Sequence, residues 1–232
     1  MKRALLLCCI VMVSFAHHYN AFGQMPIRLG FVGGLNIANQ SYSVSPFGLA
    51  LDAKASRIAV IVGGVVELGI SNLWYLQLEP RYVQKGSKYG DFAITGAGGP
   101  TVLGTSSLII KLDYIEIPIL LKAKFGDGDF RPFVLAGPST GFNIAANLDV
   151  PGSGVSSQSQ VTTNDIKDQT ELIDVAIDLG VGAEYQFGST IALLANVRYS
   201  FGLTNIAKNQ LASTGTMRST GLQLLVGALF NL

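Results

Sequence analysis

Thr220-Gly-Leu-Gln-Leu-Leu-Val-Gly-Ala-Leu-Phe-Asn-Leu232 puts Leu222, Leu224, Val226, Ala228, Phe230 and Leu232 on one face of an extended strand. Gly221, Gln223, Gly227 and Asn231 fall on the other face, because side chains alternate across a strand. An apolar row backed by a small and polar row, on the last segment of the chain, predicts a barrel closed by its C-terminal strand with the apolar row turned to lipid.

Working outward from that segment, the same alternation predicts eight strands, at about 26–37, 57–70, 73–85, 109–124, 130–144, 172–187, 190–203 and 219–232. In the second, Ile58, Val60, Val62, Val66, Leu68 and Ile70 oppose Arg57, Ala59, Gly63, Glu67 and Gly69. In the sixth, Ile173, Val175, Ile177, Leu179, Val181, Tyr185 and Phe187 oppose Asp174, Ala176, Asp178, Gly180, Gly182, Glu184 and Gln186. The fifth, with Pro132 and Pro138, has no clear polar row, and its prolines are expected at strand ends or bulges.

Composition supports the same fold. The chain is 49% hydrophobic and only 13% charged, against roughly 25% charged in ordinary soluble proteins. After residue 16 it has no apolar run approaching the roughly 18 residues that a membrane helix needs. A closed barrel is the other structure that satisfies every backbone amide inside a bilayer. Lys2 and Arg3, the apolar run 4–16 and Ala21-Phe-Gly23 predict a signal peptide over 1–23, cleaved after Gly23, with residues 24–232 forming the barrel domain. Cys8, Cys9, His17 and His18 leave with it, so the mature chain has no thiol or imidazole and is expected to have no catalytic residues, metal ligands or cofactor. Removing Lys2 and Arg3 from the 16 basic residues leaves 14 against 15 acidic ones, which offers no basic surface to nucleic acid.

The fold predicted is therefore all-β: an eight-stranded antiparallel up-and-down transmembrane barrel in a bacterial outer membrane, surrounded by outer-membrane lipid. Connections at 71–72, 126–129 and 188–189 are short, whereas 38–56, 86–108, 145–171 and 204–218 are long, which places the long ones outside the cell. Trp74, Tyr185, Phe187 and Phe230 near the turn end and Tyr82, Tyr199 and Phe201 near the loop end suggest two interfacial aromatic girdles. A soluble calycin-like ligand-binding barrel is the rival, with the apolar row turned inward. Its wetted outer row would carry more Lys and Glu than the Gly- and Ala-rich row found here.

An eight-stranded barrel is just wide enough to be filled by side chains. The inward rows supply Arg28, Arg57, Arg81, Lys122, Lys124 and Arg198 against Glu67, Glu79, Glu116, Asp174, Asp178 and Glu184, a balance that predicts a paired structural network. A catalytic or proton-relay carboxylate set is the alternative reading of the same residues. The polar stretch 147–171 is expected to be a solvated surface loop, and Gly180-Val-Gly-Ala-Glu184 and Gly96-Ala-Gly-Gly-Pro100 are packing and loop glycines without the Lys-Ser/Thr of a phosphate loop.

Gly30-Phe-Val-Gly-Gly-Leu-Asn36, Leu78-Glu-Pro-Arg-Tyr82 with Gln84-Lys-Gly86, Asp113-Tyr-Ile-Glu-Ile-Pro118, Arg131-Pro-Phe-Val-Leu-Ala-Gly-Pro138 and Asp178-Leu-Gly-Val-Gly-Ala-Glu184 together resemble the PorT-type outer-membrane β-barrel family. The resemblance spans the mature chain. It implies a small barrel of a Gram-negative envelope, and through one branch of the family it implies envelope or secretion-complex protein partners. Gly227-Ala-Leu-Phe-Asn-Leu232 also resembles the signal read by the barrel assembly machinery, with Leu225 where a polar residue is usual.

Overall fold

The computed structural model describes residues 26–42, 54–95, 102–151, 161–208 and 216–232. The expected leader 1–23 and the glycine run Gly96–Pro100 lie outside the described residues. The strands are β1 (Ile27–Tyr42), β2 (Lys54–Gly69), β3 (Trp74–Leu78), β4 (Arg81–Thr95), β5 (Val102–Lys124), β6 (Phe130–Pro151), β7 (Val161–Asp165), β8 (Ile173–Phe187), β9 (Ile191–Gly202) and β10 (Met217–Asn231).

All are antiparallel to their neighbours, and β3 and β4 together form one wall strand, so eight walls close into a ring. Closure runs through β1 and β10, paired from Arg28↔Asn231 to Tyr42↔Met217. Between β3 and β4, Glu79 and Pro80 leave the regular ladder without upsetting the alternation of faces. Gly64 N donates to Pro80 O at 3.0 Å, and Glu79 and Arg81 both stay buried. The β8–β9 turn is short because Gly188 takes φ 60°, a left-handed conformation that glycine adopts without a Cβ penalty.

The wall is apolar outside and charged inside. Leu35, Val60, Val62, Val134, Leu179, Val181, Val197, Leu224 and Val226 are exposed, whereas Glu67, Arg81, Lys122, Asp178 and Arg198 are buried. That distribution overturns the calycin-like alternative, in which the apolar rows would fill the centre. Trp74, Tyr185, Phe187 and Phe230 are exposed around the turn end, joined by Phe125 and Phe130, and Tyr199 and Phe201 are exposed nearer the loop end. Rings within each belt touch, with centroids 4.8 Å apart for Tyr185 and Phe187 and 4.4 Å apart for Tyr199 and Phe201.

Several segments differ from the alternation reading. β4, β5 and β6 run beyond 85, before 109 and beyond 144, because they continue as a sheet past the apolar band, where outward positions are no longer apolar. The stretch expected as a surface loop at 147–171 contributes paired backbone instead: β6 continues to Pro151 and pairs with β7 from Asn147↔Asp165 to Pro151↔Val161. A 3-10 turn at Lys167–Gln169 follows, tied to the β9–β10 connection by a bridge between Thr170 and Ala207. Pro132 and Pro138 sit inside β6 on its exposed face rather than at its ends or in a bulge, and the β5–β6 ladder steps from Pro118↔Ser139 to Leu121↔Ala136 around Pro138.

Candidate functional site

The lumen is occupied by an ionic column along the barrel axis. At the turn end, Arg28 on β1 and Lys122 and Lys124 on β5 surround Glu67 on β2 and Glu184 on β8. Lys122 Nζ lies 2.9 Å from Glu67, and Lys124 Nζ lies 2.6 Å from Glu67 and 2.7 Å from Glu184. Arg28 pairs with Glu67 and, at 3.1 Å, with Glu184, while Lys122 also pairs with Glu184. Three cations thus share two carboxylates. Aromatic faces cover the same cations: Lys124 Nζ is 3.9 Å from the Tyr75 ring centroid and Lys122 Nζ is 4.0 Å from that of Phe133, distances at which a ring quadrupole attracts a cation.

Higher in the lumen the balance reverses. Arg81 on β4 reaches Glu116 at 2.8 Å and Asp178 at 3.0 Å, and donates to Gln223 Oε1 at 3.0 Å. Arg198 on β9 meets Glu79 through both terminal nitrogens, at 2.7 and 3.0 Å. Lys85 lies 2.5 Å from Glu116 and 2.9 Å from Asp174, whose other oxygen accepts from Thr204 at 2.9 Å. Here three cations face four carboxylates. Gln77 joins the two clusters, accepting from Lys122 at 3.1 Å and donating to Glu79.

The wall is shaped for these side chains. Gly63 stands opposite Arg81, and a Cβ on it would fall 2.5 Å from the Arg81 Cβ and 2.6 Å from Pro80 O. Glycine there lets the β4 backbone and the base of the Arg81 side chain approach β2 closely, which a larger residue would prevent.

Eleven of the twelve charged residues singled out in the sequence meet in this column. Arg57 does not. It lies in a stretch where the β2–β4 register shifts, between Ser56 and Ile61; its guanidinium donates to Lys85 O at 2.6 Å, and Asp113, Tyr82 and Asp149 are its electrostatic neighbours. Lys85 takes its place in the column and was missed because it fell on the last expected residue of its strand. Its spacing from Arg81 by two twos was the signal that could have found it. Gln77 and Gln223 are uncharged and carried no signal beyond the parity of their strands.

Toward the loop end the lumen turns apolar. Ile61, Val83, Leu108, Ile110, Leu112, Ile166, Ile206, Met217 and Leu225 form one buried cluster over the ionic column. Ionic column and apolar cluster together fill the centre of the barrel with side chains.

The family described as outer membrane protein beta-barrel domain matches residues 22–208. The chain belongs to that family. It is an outer-membrane β-barrel, and its exposed apolar surface is the face turned to lipid. Solved structures similar to it include Neisserial surface protein A, with a TM-score of 0.48 and 13% identity over 89% of this chain and 97% of that one. OprG from Pseudomonas aeruginosa gives 0.47 and 9% over 90% and 98%, and a major outer membrane protein from Thermus thermophilus gives 0.47 and 11% over 90% and 100%. No curated protein matches the chain.

Proposed function

We propose that this outer-membrane barrel is a non-enzymatic structural or binding protein whose lumen is sealed and whose specificity resides at the loop end, outside the cell. The observation that carries this reading is the ionic column: its charged side chains are spent on one another, and the apolar cluster lies over them. A charge committed to several buried partners has neither the exposure nor the freedom that catalysis or permeation requires. A mature chain without histidine or cysteine supports the same conclusion, since it has no imidazole or thiolate to activate a nucleophile. Reconstitution into planar bilayers tests it. The sealed barrel gives no stepwise ohmic conductance at neutral pH, and a stable open channel would overturn the reading.

The PorT-type sequence blocks, among them Tyr114-Ile-Glu-Ile-Pro118, favour a second reading as an accessory subunit of a secretion or envelope complex. Crosslinking in intact outer membranes separates the two: stoichiometric capture of the same envelope proteins supports the complex, and a free monomer supports the standalone barrel. In either case residues 1–23 act as a cleaved leader, and the barrel assembly machinery reads the alternating row of the last strand during biogenesis.

A further inference from the structure

The connection between β5 and β6 is fixed at its two ends and free in its middle. Phe125 N donates to Pro132 O at 2.8 Å, and Asp129 O accepts from Gln186 N at 2.8 Å, so both shoulders of the turn are tied to the wall. Between them Gly126, Asp127 and Gly128 are exposed. No hydrogen bond or ion pair among the described residues engages the Asp127 carboxylate or the Gly128 amide. Gly126 takes φ 82°, and a Cβ built on Gly128 would meet nothing within 4 Å.

Asp127 is also the only aspartate in the sequence that is followed by glycine, and no asparagine is. The residue after an aspartate supplies the amide nitrogen that can attack the side-chain carboxyl. A Cβ on that residue crowds the approach, and a main chain locked in a ladder cannot swing its amide round to the carboxyl. Gly128 presents neither obstacle. Asp113, Asp149, Asp174 and Asp178 lie in paired strands ahead of Tyr, Val, Val and Leu. Asp129 shares the exposed turn but precedes Phe130, which is already paired with Tyr185.

We propose that Asp127 is a site of spontaneous covalent modification, at which aspartate converts to isoaspartate through a succinimide formed with Gly128. In the first step the bond from Gly128 N to Asp127 Cγ forms, the C–OH bond of the protonated carboxyl breaks, and the hydroxyl leaves with the amide proton as water. In the second, water adds to the former main-chain carbonyl carbon of Asp127, and the bond from that carbon to Gly128 N breaks. One water leaves and one returns, so the mass is unchanged. The main chain now runs through the Asp127 side chain, one carbon longer, with a free carboxylate on the α-carbon. The open space around Gly128 lets the turn take up that carbon while its two shoulders stay bonded.

The experiment incubates the refolded full-length mature barrel for weeks at neutral pH and body temperature. Chymotryptic cleavage after Phe125 and Phe130 releases the segment 126–130, and electron-transfer fragmentation distinguishes isoaspartate from aspartate at each position. Isoaspartate is expected at Asp127 at least tenfold above Asp129, the internal control in the same turn, and at a rate within about threefold of the urea-unfolded chain. Gly128→Ala, whose added carbon has room in the fold, slows the conversion at least tenfold. A heat-shifted gel band before and after incubation shows that the parent and the variant stay folded throughout. Equal conversion at Asp127 and Asp129, conversion confined to the unfolded chain, or an undiminished rate in Gly128→Ala would each overturn the proposal.

Discussion

The two ends of the ionic column solve the same problem in opposite senses. At the turn end, Arg28, Lys122 and Lys124 outnumber Glu67 and Glu184, and the surplus positive charge is met by the faces of Tyr75 and Phe133. In mid-lumen, Glu79, Glu116, Asp174 and Asp178 outnumber Arg81, Lys85 and Arg198, and the surplus negative charge is met by neutral donors such as Thr204 and Gln77. Neither cluster is neutral alone. Buried charge is therefore balanced along the whole axis rather than pair by pair, with Gln77 as the link between the halves.

The largest effect is expected from removing the space that Arg81 of the mid-lumen cluster occupies. Gly63→Leu drives a side chain into Arg81 and Pro80, and overpacking of this kind costs ~3 kcal/mol, enough to lower the fraction of protein whose gel band shifts on boiling. Next come the carboxylates. Glu184→Gln widens an existing excess of cations and is expected to lose about 3–5 kcal/mol in urea unfolding from bilayers, as when one member of a buried ion pair is removed. Glu116→Gln takes a carboxylate from the side with one to spare and loses less; equal losses would show that the clusters balance pair by pair after all. For cations the order reverses, with Lys85→Met more damaging than Lys124→Met.

Smaller changes sharpen the same contrast. Gln77→Leu leaves Lys122 and Glu79 short of one neutral partner each and is expected to destabilise by about 1–3 kcal/mol, with a non-additive response when combined with Glu184→Gln. The smallest effect is at the rim. Lys111 and Asp149 pair at 2.5 Å, but the lysine side chain is 42% exposed, and Asp149→Ala is expected to change unfolding free energy by less than ~1 kcal/mol.

Much of the barrel was legible because inside and outside of a membrane wall differ so sharply in chemistry. Val60, Val62 and Val197 fix an outward row, and Glu67, Asp178 and Arg198 fix an inward one, without any knowledge of their partners. The same rule fails once the wall leaves the bilayer. Past the apolar band the sign reverses: Lys88, Lys111 and Asp113 take outward positions of β4 and β5 while Leu108, Ile110 and Leu112 turn inward, so an outward apolar row no longer marks the extensions of β4, β5 and β6. Arg57 was misplaced for a different reason: it keeps the parity of Ala59 and Ile61, but it lies nearer the loop end than they do, and its guanidinium reaches Lys85 O instead of the carboxylates of the column. The pairing of individual charges across the lumen was not legible at all, since it depends on strand stagger, which alternation leaves open.

The β1–β10 ladder also has a kinetic meaning. It joins the first described strand to the last, so the barrel has edges until the final segment arrives, and the contacts that complete it are the most distant in sequence. Folding cannot finish strand by strand as the chain emerges, because the ring stays open until β10 is present. A barrel closed in this way loses its last open edges at one event, when its two terminal strands meet.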